Sequence, residues 1–360
     1  KPKLTIITET HYSTFQFHSI LMYLLIGILN QNLNQLIVIT RHGARNTLAP
    51  APDNDTYVCD LYTLISQNMS PNQLLLNNDV VNSQAGNCQL GDLYDSGYVQ
   101  HQNLGYFLKK KYDSLFKRAN LTTYFRSSFN QRTLGSIKGV LDVLYPDSLE
   151  HEVHVADEKL ESMELHGCPF YDDWLKYTRN IPIVLQNEPA LLKIKQLLNY
   201  HPDDQFDWWM AYDYLESREF QRMSSAHVLA HTQLIQDVEQ QLWAAIYCNP
   251  QQELHHHFMR AAAGPFLRDL QLQMSSKKEF VLFSAHQETL GPLLAIFTNK
   301  KECRVPEFAA MLEIRVYDSQ IEIDYQGREL VKMEKQKFEA LLAEFGAGDE
   351  EQKELCKKKI

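Results

Sequence analysis

Two apolar runs constrain this chain more than anything else in it: Leu36-Ile-Val-Ile-Thr40 and Phe280-Val-Leu-Phe-Ser-Ala285. Both are short, continuous and rich in strand formers, so each reads as a buried strand. Strand and helix signals alternate after the first. The segment 93–116 spaces its apolar residues at helical intervals, TTYFRSS (122–128) is a short strand, and the stretch from Ser127 to Pro146 is helical again. That alternation predicts an α/β fold, a mostly parallel sheet core flanked by helices.

From about Tyr171 to Met274 the strand signal fades. ALLKIKQLLNY, DWWMAYDYLES and the long amphipathic AHVLAHTQLIQDVEQQLWAAIYC follow one another, which predicts a helical cap inserted into the α/β core. The expected organisation is an apolar leader over 1–34, a core formed by 35–165 and 275–360, and a cap over 166–274. AAMLEIRVYD and SQIEIDYQG read as paired strands near the sheet edge. The polar stretch from Asn46 to Gly91 reads as a long surface excursion, tied by Cys59 and Cys88.

Composition narrows the class. At 360 residues, with 44% hydrophobic and 22% charged side chains, the chain can bury a core. A formal net charge of −10 argues against a general nucleic-acid binder, which needs a basic surface to displace phosphate counterions. Arginine clusters in such a chain are local features.

Other signals point to the secretory pathway, and to a secreted or lysosomal protein. Ile20–Leu29 is an uninterrupted apolar run of signal-peptide size, with a buried helix or a short N-terminal membrane anchor as the other readings. Six cysteines (Cys59, Cys88, Cys168, Cys248, Cys303 and Cys356) without a CxxC pair suit scattered disulfides better than zinc. Asn54-Asp-Thr, Asn68-Met-Ser and Asn120-Leu-Thr are glycosylation sequons. His255-His-His257 on a helix spreads its rings around the axis, which predicts a solvated face and no metal site. The final Lys357-Lys-Lys-Ile reads as a solvated tail.

The chemistry lies at the strand ends. In open α/β sheets ligands bind at the carboxyl ends of the strands, where Arg41, His42 and Arg45 follow the first apolar run. Two guanidiniums offer forked donors to a phosphate or carboxylate, and Gly43 would let the backbone approach a ligand. His42 is then the nucleophile available to attack phosphorus and form a phosphohistidine. TTYFR delivers Arg126 and FVLFSAH delivers His286 to corresponding points on two further strands.

This arrangement resembles the histidine acid phosphatase family, the second branch of the histidine phosphatase superfamily. The opening motif RHGxRxP is matched by Arg41-His42-Gly43-Ala44-Arg45, and the second by Tyr124-Phe-Arg126-Ser-Ser128 with Arg132-Thr133. The intervening helix is similar from Gly91 through Gly97, Gln100, Leu104 and Gly105. The motif SAHDTTL appears as Ser284-Ala-His286-Gln287-Glu288-Thr289-Leu290. The resemblance runs from about residue 35 to the end.

What it implies is an acid phosphomonoesterase acting on a small phosphate monoester without a cofactor, with His42 as nucleophile and Arg41, Arg45, Arg126 and His286 holding the phosphate. Thr47 replaces the proline of the first motif. Gln287 stands where the family carries its aspartate proton donor, and an amide cannot donate to a leaving alkoxide. Glu288, one position on, is assigned as the proton donor, as in the H-x-E arrangement of similar inositol polyphosphate phosphatases; a glutamate satisfying a helix dipole is the bland alternative. An unperturbed glutamate, with a pKa of about 4.3, is protonated only in acid, so an acidic working pH is expected.

The resemblance also implies that Cys168 pairs with Cys356, which leaves Cys59 with Cys88 and Cys248 with Cys303 as a further expectation that sequence does not fix. Aromatics crowd the cap (Trp208, Trp209, Tyr212, Tyr214) and no lysine-rich wall is evident, which disfavours a highly phosphorylated inositol. Three other functions stay open: an inositol-phosphate phosphatase of the H-x-E type, a mutase-like phosphoryl transferase, and a phosphate-binding protein that lost catalysis with Gln287.

Overall fold

The computed structural model describes residues 32–49, 56–57, 85–86, 88–148, 151–157, 161–220, 229–248 and 252–360. Residues 1–31 of the apolar leader expected over 1–34, Cys59, and the sequons at Asn54 and Asn68 lie outside them. Asn120 sits in an exposed turn.

A seven-stranded mixed sheet organises the chain, in the order β5-β4-β6-β1-β7-β8-β9. Its strands are β1 (Gln35–Arg41), β4 (Thr123–Ser127), β5 (His154–Val155), β6 (Phe280–Ala285), β7 (Met311–Val316), β8 (Gln320–Tyr325) and β9 (Arg328–Glu334). Two-residue strands β2 (Thr56–Tyr57) and β3 (Ala85–Gly86) pair separately. β5, β4, β6 and β1 run parallel, and β7, β8 and β9 extend the sheet antiparallel from β1. Both apolar runs are central, β6 lying between β4 and β1, which is why neither shows the alternation of a half-exposed strand.

Helices cover both faces. On one, Leu36 and Val38 of β1 and Leu282 of β6 pack against α1 (Asp95–Lys111) and α3 (Gln131–Leu144), with the short α2 (Asp113–Phe116) beside them. On the other, Ile37, Ile39, Val281 and Phe283 meet a larger cluster.

Between β5 and β6 the described chain is helical: α4 (Pro169–Thr178), α5 (Pro182–Gln186), α6 (Glu188–Leu197), α7 (Trp208–Phe220), α8 (Thr232–Tyr247) and α9 (Gln252–Met274). Ile194, Trp208, Tyr214, Ile235 and Val238 form a separate core for α6, α7 and α8. α4 and α9 instead pack on the sheet through Trp174, Phe258 and Phe266. α10 (Gln287–Phe297), α11 (Lys335–Phe345) and α12 (Asp349–Leu355) complete that face.

Disulfides join Cys168 to Cys356 and Cys248 to Cys303. Cys88 is buried and disulfide-bonded to a partner outside the described residues. The histidine triplet is not the solvated face expected of it. His255 is buried with Nε2 2.9 Å from the Tyr247 carbonyl, and His257 Nε2 lies 2.8 Å from the Leu355 carbonyl, because α9 is wedged between α8 and α12. Among the described residues no cluster could hold a metal ion, and no helix is long and apolar enough to cross a membrane.

Candidate active site

Register brings two of the sequence candidates together. Arg41 of β1 pairs with Ala285 of β6, so the next residues, His42 and His286, leave adjacent parallel strands side by side. Their rings meet edge to face at 5.5 Å. β7 runs antiparallel to β1 and starts where β1 ends, so the preceding loop crosses the same place and lays Phe308 over Arg41 at 4.1 Å. No sequence motif announces that phenyl ring.

Gly43 serves a purpose other than the close ligand approach expected of it. A Cβ built there would stand 2.3 Å from the Gly97 carbonyl oxygen, and one on Gly97 2.2 Å from the Ala44 carbonyl oxygen. The two glycines let the loop after β1 rest directly on α1. Gly43→Ala is expected to cost about 3 kcal/mol or more through backbone displacement, measurable by denaturant unfolding; an unchanged midpoint would contradict the packing.

His42 is buried, and its Nδ1 lies 2.9 Å from the carbonyl of Gly43. A carbonyl only accepts, so Nδ1 carries the hydrogen and Nε2 presents a lone pair. Burial, followed by the charges of Arg132, Arg41 and Arg45, holds the ring's pKa well below the usual histidine value. The imidazole is neutral.

Acids of α7 hold the two arginines of the first motif. Arg41 makes a bidentate pair with Glu216 at 2.8 and 2.9 Å and donates to the Pro306 carbonyl at 2.6 Å. Arg45 pairs with Asp213 at 2.7 Å, and Ser217 Oγ donates to the Arg45 carbonyl at 2.7 Å. All three partners sit on one face of α7, in the segment DWWMAYDYLES that the sequence marks only as helical.

Arg126 goes elsewhere. Its guanidinium bonds Asp269 of α9 and, at 3.2 Å, Glu161, beside a separate cavity of about 340 Å³ lined by Tyr124, His154 and Arg268. The reason is strand alternation: Arg126 is in register with Phe283, whose ring faces α9. The guanidinium beside the two histidines is that of Arg132, in the first turn of α3. Its charge is the largest felt by His42, and it donates to Asn130 Oδ1 at 3.0 Å. Arg132 belongs to the second motif, yet the strand-end argument does not select it as a ligand.

The Nε atoms of Arg41, Arg45 and Arg132 are all buried without a hydrogen-bond partner. Buried donors are rarely left so, and three on guanidiniums whose charges all reach His42 fit an anion.

His286 Nε2 lies 2.7 Å from Ser128 Oγ and 3.2 Å from Glu164 Oε2. Burial is the main influence lowering its pKa to about 3; Glu164 opposes this and Arg132 adds to it. Burial works to raise Glu164, but His286, His166 and Arg132 outweigh it and keep that carboxylate ionised. Glu288, half-buried in the first turn of α10, accepts a bond from the Gln287 amide at 3.0 Å, and its charge reaches both Arg41 and Arg132. Gln287 thus touches the carboxyl group assigned as acid.

The model of the histidine phosphatase superfamily (branch 2) matches residues 32–333. The chain belongs to that family. Among relatives of this histidine phosphatase, counting factor 60 of Dictyostelium discoideum is 23% identical over 326 residues, covering 80% of this chain and 77% of its own. The 2-phosphoxylose phosphatase 1 of Xenopus tropicalis is 25% identical over 259 residues, covering 64% of this chain and half (50%) of its own. In structure the chain is similar to the phytase of Citrobacter braakii, with a TM-score of 0.54 at 13% identity, covering 90% of this chain and 99% of that one.

Proposed function

We propose that this histidine phosphatase hydrolyses phosphate monoesters through a phosphohistidine at His42, with Glu288 as proton donor. One observation carries the reading: a neutral imidazole with its Nε2 lone pair free, set among three guanidiniums whose buried Nε–H groups lack partners. The phosphatases and phytases among its relatives are in keeping with it.

Arg41, Arg45 and Arg132 hold the non-bridging oxygens, with Arg132 taking the place first expected of Arg126, and His286 stands beside them. Nε2 attacks phosphorus in line while the bond to the ester oxygen breaks and Glu288 gives that oxygen its proton. Water then attacks the phosphohistidine; its proton passes to the Glu288 carboxylate, the N–P bond breaks, and phosphate leaves. The arginines offset charge on the equatorial oxygens in both steps.

The direct test is a rapid alkaline quench with a phosphorus-labelled aryl phosphate. Label bound to His42, stable in base and labile in acid, together with steady phosphate release, is the expected result. Phosphate binding without label or release would support the second reading, a protein that only binds, which Gln287 at the usual acid position favours. Secretory or lysosomal residence fits the disulfides and an acid working range.

The arginine assignment has its own check. Arg132→Met is expected to lower kcat/KM about 100-fold and Arg126→Met less than about tenfold. The reverse order would return Arg126 to the site.

A further inference from the structure

Beside Glu288 lies a set of polar groups that the proposed chemistry does not use. Glu239 of α8 is only 4% exposed, and among the described residues it has neither a hydrogen bond nor an ion pair. Trp243, one turn on, has its indole Nε1 buried and unpaired, 3.1 Å from where a Cβ on Gly291 would stand, one turn along α10 from Glu288. Tyr247, a further turn on, meets the hydroxyl of Tyr171 at 3.4 Å. Glu239, Trp243 and Tyr247, at i, i+4 and i+8, share one face of α8. Oε1 of Gln287 is also buried without a partner, and Tyr212 comes from α7 on the cap side.

These groups carry no uncommitted positive charge. The charges felt by Glu239 are Asp207, Glu216, Glu288 and Arg179, of which Arg179 pairs with Asp207 at 3.2 Å. Glu216 occupies Arg41 on the phosphate side. Burial, with the carboxylates of Asp207, Glu216 and Glu288, pushes Glu239 up to about 8, so it is an uncharged carboxyl that both donates and accepts.

Building on the phosphomonoesterase reading, we infer that Glu239, Trp243, Gln287 and the phenols of Tyr171, Tyr212 and Tyr247 form a subsite for an uncharged, hydroxyl-bearing alcohol and turn away esters with a second phosphate. Hydroxyl groups supply the missing partners. An apolar alcohol leaves them unpaired, and a second phosphate finds no uncommitted cation among them to offset its charge.

The test compares kcat/KM for matched esters with the full chain at acidic pH: glucose 6-phosphate against glucose 1,6-bisphosphate, and glycerol 2-phosphate against propan-2-yl phosphate, with 2-aminoethyl phosphate alongside. The expected result is a preference of about tenfold or more for the first of each pair, with the amino ester no better than glycerol 2-phosphate. Glu239→Leu, which buries no new polar group, should erase most of the glycerol preference through KM, and Glu239→Gln should keep it. Equal turnover within either pair, a clear preference for the amino ester, or an unchanged preference in Glu239→Leu would overturn the subsite.

An aryl phosphate serves as the control for catalysis. If it is not hydrolysed, the phosphomonoesterase reading fails, and dissociation constants of the same esters, measured by calorimetry, decide the subsite by the same order.

Discussion

His42→Ala removes phosphate release from aryl and alkyl phosphates alike, by about four orders of magnitude or more, while inorganic phosphate still binds. The imidazole is the nucleophile in the proposed reaction, and water gains no comparable position by its loss. Arg41 and Arg45 keep their partners Glu216 and Asp213, and Arg132 keeps Asn130, so the anion site outlasts the substitution. Initial rates and phosphate titration on the same preparation give both numbers. A variant retaining more than about a tenth of native turnover would exclude a covalent intermediate at His42.

Glu288→Gln divides substrates by leaving group. An alkoxide needs a proton as it departs, and loss of the donor is expected to slow alkyl phosphates by about 100- to 1,000-fold. A nitrophenolate leaves largely unaided, so aryl phosphate should slow less than about tenfold. The bond that Gln287 donates to Glu288 Oε1 can be kept by the side-chain carbonyl of the introduced amide, which makes the comparison conservative in shape. Equal losses on the two ester classes would assign Glu288 to binding, and no loss on either would leave the reaction without its acid.

The strand ends were legible because burial and chemistry are both written locally. An apolar run followed at once by Arg41 and His42, or by His286, states where the backbone leaves the sheet, and the parallel register of β1 and β6 does the rest. Side-chain direction was not legible in the same way. Arg126 and Arg132 stand six positions apart, and the strand-end argument selects Arg126, whose guanidinium turns to Asp269 and Glu161, because position along a strand does not say which face a side chain takes. Alternation relative to Phe283 gives the face that Arg126 takes.

Partners far away in sequence were invisible for a different reason. Glu216 is 175 positions from Arg41, and nothing near either residue announces the pair. From sequence Gly43 reads as room for a ligand, because its neighbour in the fold, the backbone at Gly97, lies on an element whose packing only the fold defines. The buried His255 was misjudged likewise, since α12, which helps to cover that part of α9, follows about 90 residues later.

The bond between Cys168 and Cys356 closes a covalent ring of chain that contains α4 through α12. A single cut by a protease anywhere between those cysteines therefore releases no fragment. His42 lies before the ring and His286 within it, yet both remain in one molecule after such a cut, held also by pairing of β1 with β6. For a cut between Cys168 and His286, only reduction together with unfolding would let the two histidines part, so on a denaturing gel the nicked chain would fall into two pieces only once thiol was added.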